Sequence, residues 1–224
     1  MSQYNKYAQR LDTAFKTARE EYMEAWNQLQ AAQKANTDAQ AWRAETYRGE
    51  NDLRRQRAKA ALLEAEHTFR AAESRVWAEF DRQKESIRRD LESEVRATST
   101  VEPDAIDANA LELLKSGILT ADDIFSMVGK YDSNITMLRL ISKTAKELAD
   151  DKNTDAKTRG QLYVLCSQIG NGKNSTMRNF DDLVEISNYC SGRGGGGTQR
   201  TTPAHTVAMA GKWEELSGNT VENF

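Results

Sequence analysis

The sequence predicts an all-α protein: a long N-terminal coiled-coil arm, hairpin or kinked rod, then a compact bundle of short helices and a flexible C-terminal tail. Three observations predict it. Residues 1–100 of the 224 contain no proline and a single glycine, Gly49, and consist almost wholly of good helix formers. After Pro103, short apolar stretches are punctuated by cap residues and glycines. No βαβ alternation appears anywhere along the chain. The expected divisions are 1–100 for the arm, 101–191 for a five-helix domain and 192–224 for a glycine-rich linker with a docking tail.

The arm begins with a seam of seven-residue period. Ala8, Leu11, Phe15, Ala18, Tyr22, Ala25, Leu29 and Ala32 occupy eight consecutive a and d positions. From Phe15 onward, large residues at a alternate with alanine at d, which lets two helix axes approach closely. Trp26 lies one residue off the seam and widens it. Asn36 follows at an a position, where a buried amide fixes register, although a fading, exposed seam accounts for it equally well. Arg43 ends the pattern.

From Leu62 the period changes. Phe69, Phe80 and Leu91 are spaced by eleven, as are Ala65, Val76 and Ile87, a repeat that favours a straight or gently right-handed helix. Two native periods argue for a break between them, and Arg48-Gly49-Glu50-Asn51-Asp52 is the expected place. A turn there makes a hairpin of roughly 65 Å; continuity makes a rod of roughly 140 Å.

The second part is defined by caps. Asp107 opens a helix through Ala110, Leu111, Leu113 and Leu114 to Gly117. Thr120-Ala121-Asp122-Asp123 resembles a capping box and opens a helix with Ile124, Phe125, Met127 and Val128. Asp132-Ser133-Asn134 starts a third, with Ile135, Leu138, Ile141, Ala145 and Leu148 on its inner face. Thr154 is expected to cap a fourth, Asp155 to Ile169, ended by Gly170, and Ser175 a fifth, Met177 to Tyr189. The short loops between them suit one all-α domain over about 104–191.

Composition excludes more than it identifies. Apolar residues make up 38% and charged residues 29%, which suits elongated helices with wet faces. A net charge of −3 makes no case for a polyanionic partner. The basic stretch Arg43, Arg48, Arg54, Arg55, Arg57 and Lys59 is interspersed with Glu45, Glu50 and Asp52, and suits a solvated helix face better than a nucleic-acid footprint. Cys166 and Cys190 make no disulfide framework and are expected as partly buried thiols in a reducing compartment. The polar N-terminus resembles no secretory leader, and no apolar run approaches the ~20 residues of a membrane helix. The expectation is therefore no membrane contact.

No catalytic, cofactor-binding or metal-binding set is expected. Gly170-Asn171-Gly172-Lys173-Asn174-Ser175-Thr176 is similar to a phosphate-binding loop, but the first glycine position holds Ser167 and Asn174 follows the lysine. His67 sits among charged neighbours with no second His or Cys in reach, and His205 falls in the expected tail. In the tail, Ser191 to Gly197 is a flexible linker by composition. Trp213, Leu216 and Phe224 beyond it are expected to dock on a partner.

The stretch Ala110-Leu111-Glu112-Leu113-Leu114-Lys115-Ser116-Gly117-Ile118-Leu119-Thr120-Ala121-Asp122-Asp123, with Met137-Leu138-Arg139-Leu140-Ile141, resembles small helical head proteins of tailed bacteriophages. The wider layout of arm, small helical domain and end that touches the coat is similar to phage scaffolding and minor head proteins. The resemblance implies a non-enzymatic virion protein made in the host cytoplasm. Its partners would be itself, as a homo-oligomer through the arm seam, and other phage structural proteins such as coat. Scaffold coat-binding ends are typically basic, whereas this end sets Lys212 against Glu214, Glu215 and Glu222. That favours a capsid-lining, decoration or minor capsid protein over a transient scaffold. A regulatory nucleic-acid-binding module using Arg43–Lys59 and a nucleotide-binding enzyme using Lys173 are the rival readings.

Overall fold

The computed structural model describes residues 3–42, 48–98, 106–170, 173–193 and 201–224. The chain is all-α, with no β-strand among the described residues. The helices are α1 (Asn5–Ala41), α2 (Arg48–Thr98), α3 (Ala108–Ser116), α4 (Ala121–Lys130), α5 (Ile135–Asp150), α6 (Ala156–Ile169), α7 (Ser175–Cys190), α8 (Pro203–Ala210) and α9 (Trp213–Glu222). Among the described residues no helix is long and apolar enough to cross a membrane.

The chain forms two compact units, and their limits differ from the sequence-based divisions. The first comprises residues 3–87 and 183–223; the second comprises 88–182 with Phe224. The boundaries fall inside α2 and α7, because each helix carries apolar residues along its whole length and so joins whichever core lies beside it.

In the first unit α1 and α2 form an antiparallel hairpin. Phe15 meets Trp77 and Phe80, Tyr22 meets Phe69 and Trp77, and Trp26 meets Phe69, with ring centroids 5.4–6.0 Å apart. Trp42 lies under Arg54, so positions rising along α1 meet positions falling along α2. A continuous rod would leave both aromatic rows in water, at roughly 1.5–3 kcal/mol per large side chain. The connection falls earlier than the expected Arg48–Asp52. α1 stops at Ala41, Trp42 is extended (φ −67°, ψ 143°), and residues 48–52 are already helical. Residues 43–47, including Arg43 and Glu45, lie outside the described residues.

Where a flexible tail is expected, residues 203–222 form α8 and α9, and both lie against α1. Pro203 takes the first helical position of α8, where its missing N–H costs nothing. Most of the glycine linker, residues 194–200, lies outside the described residues. Gly192 and Arg193 are described and are held in place.

The second unit has its core in Ala110, Leu114, Ile124, Val128, Met137, Leu138, Ile141, Ala145, Leu162, Leu165 and Ile169. The expected caps largely hold. Asp107 accepts from the Ala110 amide at 3.1 Å, and Gly117 ends α3 in the left-handed region at φ 71°. Thr120 and Asp123 form a reciprocal capping box. Asn134 caps α5 through the Met137 amide.

Two cap assignments shift. Asp155 rather than Thr154 caps α6, since its carboxylate reaches the Lys157 and Thr158 amides while Thr154 Oγ1 donates to Leu148 O. Asn174 rather than Ser175 caps α7 through the Met177 amide. Gly170 closes α6 as expected, with ordinary right-handed angles.

Candidate assembly surface

Leu11, Phe15 and Tyr22 are fully buried, and Ala8, Ala18 and Leu29 are buried too; Ala25 and Ala32 are half-buried. The seam is thus a surface for another helix, and that helix belongs to the same chain. α2 covers one side of it through Phe69, Trp77 and Phe80. α9 covers another: the Trp213 indole stacks on Phe15 with centroids 4.2 Å apart and planes 23° off parallel. The face expected to meet other copies is thus covered within the chain by α2 and α9. Its apolar area is already buried in the chain, so an Asp at Leu11 or Phe15 would report hairpin packing rather than association.

The tail residues are likewise used internally. Trp213 is fully buried, and its Nε1 donates to Asp12 Oδ1 at 2.8 Å. Arg19 pairs with Glu214 at 2.6 Å; the hydrogen bond from Arg19 holds the Glu214 carboxyl below its usual range. Phe224 is buried and meets Phe180 edge-on at 6.4 Å within the second unit. Leu216 alone of the three expected docking residues is exposed. Trp213 and Phe224, expected to dock on a partner, both pack against residues of this chain. Cys190 is fully buried, and desolvation pushes its thiol up to about 11. Cys166 is half-buried and shifted the same way, for the same reason.

At the phosphate-loop-like stretch, the segment before it is α6, a helix rather than a buried strand. The α7 N-terminus already has an anion of its own. Asp132 accepts from the Ser175 amide at 2.8 and 3.0 Å, from the Ser175 hydroxyl, and from Arg178 at 3.1 Å. Lys173 pairs with Asp181 at 2.6 Å, and Asp181 also accepts from Arg88 at 2.5 Å. Among the described residues of this stretch, the Ser175 amide and Lys173, two donors a bound phosphate would use, are taken by this chain's own carboxylates, and Asn171 and Gly172 lie outside the described residues. No pattern within a short window marks Asp132 for this role, because its partners lie 43 and 46 residues away.

On the basic stretch, Arg54 stacks on Trp42 and Arg55 lies 4.0 Å from Asp52. Arg57 and Lys59 are exposed. Arg43 lies outside the described residues, and the Arg48 side chain is not described. Among the described residues no group of His, Cys, Asp and Glu is arranged to hold a metal.

What the hairpin leaves uncovered is its outer half. Among the described residues of 30–42 and 49–68, only Ala39 is buried. Asn36 is half-buried, and its Oδ1 has no hydrogen-bond partner among the described residues. Leu53 and Leu63 are 48% and 57% exposed. Helix is maintained here with little core beneath it, and its faces are presented to solvent. Comparison with known protein families, curated proteins and solved structures finds no match.

Proposed function

We propose that this chain is a non-enzymatic structural protein of a tailed-bacteriophage particle: a minor capsid, lining or decoration protein that associates with itself and with coat or other head proteins. The observation that carries the assembly part is the outer half of the α1–α2 hairpin, a stretch of paired helix with exposed leucines and, among its described residues, only Ala39 buried. A helix pair with so little core of its own is stabilised by packing against something else. The placement in a phage head is supported by the resemblance of 110–123 and 137–141. Those residues include the α3 and α5 core positions Ala110, Leu114, Met137, Leu138 and Ile141 and the capping box of α4.

Mass spectrometry of purified mature particles and of immature heads from the virus that encodes the chain tests this. Retention in mature particles is the expected result. Presence only in immature heads would make the chain a transient scaffold, and absence from both would overturn the reading.

A further inference from the structure

α2 carries two stripes in its outer half. Arg55, Ala58, Leu62 and Ala65 are half-buried and lead into Phe69, which touches Tyr22 and Trp26 of α1. On the opposite side Leu53, Gln56, Ala60, Leu63, His67 and Arg70 are all exposed. They repeat at alternating three- and four-residue steps, the a and d positions of a second heptad frame. A helix that already faces α1 has no need of that second frame within its own hairpin.

The charges beside the second stripe identify what fits it. In this frame the flanking e positions are Arg57 and Glu64, and the flanking g positions are Lys59 and Glu66. When two copies of one helix pair antiparallel, each a residue layers with a d residue of the other, and e meets e while g meets g. Setting Ala60 against the second copy's Leu63 places the twofold axis between Ala61 and Leu62. That same register puts Arg57 against the second copy's Glu64 and Lys59 against its Glu66. Symmetry repeats each pair. The central layers then combine a small residue with a large one, as close helix packing requires. A nucleic-acid backbone would meet Glu64 and Glu66 beside the same arginine and lysine, so the pattern fits a second copy and not a polyanion.

We infer that two copies of this chain pair antiparallel through the outer stripe of α2, about a twofold axis between Ala61 and Leu62. The interface is isologous, a single patch meeting itself, and it is separate from the seam that α2 and α9 cover. The inference rests on reading the chain as an assembly protein. The two fail separately, because particle composition tests the one and the association state of the purified chain tests the other.

Sedimentation equilibrium of the full chain at micromolar concentration is the test, with Arg57→Glu, Glu64→Arg and an equimolar mixture of the two. In one helix residues 57 and 64 are two turns apart, so neither change disturbs the fold; far-UV circular dichroism checks this. The expected result is a wild-type dimer, each variant alone weakened roughly tenfold or more by two like-charge pairs, and recovery of dimer in the mixture. Recovery is specific to the antiparallel register, since only there does the introduced carboxylate of one variant meet the introduced guanidinium of the other. A monomeric wild type, a dimer indifferent to Arg57→Glu, or a mixture no more associated than its components would each overturn the inference.

Discussion

Gly192 lies at the start of what composition reads as a glycine linker, and it is held in a defined conformation. Its φ is +79°, and a Cβ there would lie 2.2 Å from Thr206 Oγ1 and 3.1 Å from Thr201 Oγ1. Its carbonyl accepts from the Thr201 amide at 2.9 Å, and Thr206 is fully buried. The bare backbone is what lets the start of α8 close on the end of α7. Gly192→Ala is therefore expected to destabilise α8 and α9 docking by about 1–3 kcal/mol, from strain at positive φ together with overpacking. Chemical denaturation gives the size of the loss, and faster proteolysis within residues 201–224 gives its place. An unchanged denaturation midpoint would mean that this close approach is not required. Asp132 makes the same point for charge: its role as the anion at the α7 N-terminus follows from where α7 arrives, not from its neighbours in sequence.

At the scale of elements, each helix of the arm was legible by itself. The seven-residue seam of α1 and the eleven-residue pattern of α2 both mark residues that the structure buries: Phe15, Tyr22 and Leu29 on one, Phe69, Val76, Phe80, Ile87 and Leu91 on the other. The choice between hairpin and rod was not legible, since both periods demand cover without naming its source. α9 is held partly by the Arg19–Glu214 pair, which gives it a pH dependence. The Glu214 carboxyl is lowered in the folded chain by its hydrogen bond from Arg19, so the stabilisation is present above the ordinary glutamate range. It is lost as pH falls through the lower folded value. Because the Glu214 side chain is 51% exposed, screening keeps the contribution below about 1 kcal/mol. Glu214→Gln should lower the thermal midpoint slightly at neutral pH, and the gap to wild type should close as pH falls through the lowered folded value of the Glu214 carboxyl. A gap that persists in acid would show that the pair is not its source.

For the whole molecule, the consequential feature is that the two ends of the chain share a core. Trp213 stacks on Phe15 and donates to Asp12, 201 residues away, so residues 203–223 complete the unit that residues 3–87 begin. Ending the chain before Pro203 removes a buried indole from the α1 seam, at a cost of about 3–5 kcal/mol by analogy with large-to-small core changes. Hydrogen exchange should show the loss as faster exchange of the α1 amides around Leu11–Ala18. Protection equal to that of the full chain would mean that α9 is a passenger on the hairpin. A reading in consecutive blocks of 1–100, 101–191 and 192–224 misses this arrangement, because composition changes locally while a core can be assembled from distant segments.

Helicity, the starts and stops of most helices in the second unit, and the arm residues that must leave water can all be read from the residues alone. Those are local matters: propensity, capping chemistry and apolar period act within a few turns of backbone. What covers each apolar stripe emerges only in the folded chain, where α2 turns back on α1 and Trp213 lies over Phe15. The physical reason is that apolar burial is non-directional. A stripe specifies how much must be covered and with what spacing, while chain connectivity and competing surfaces select the cover.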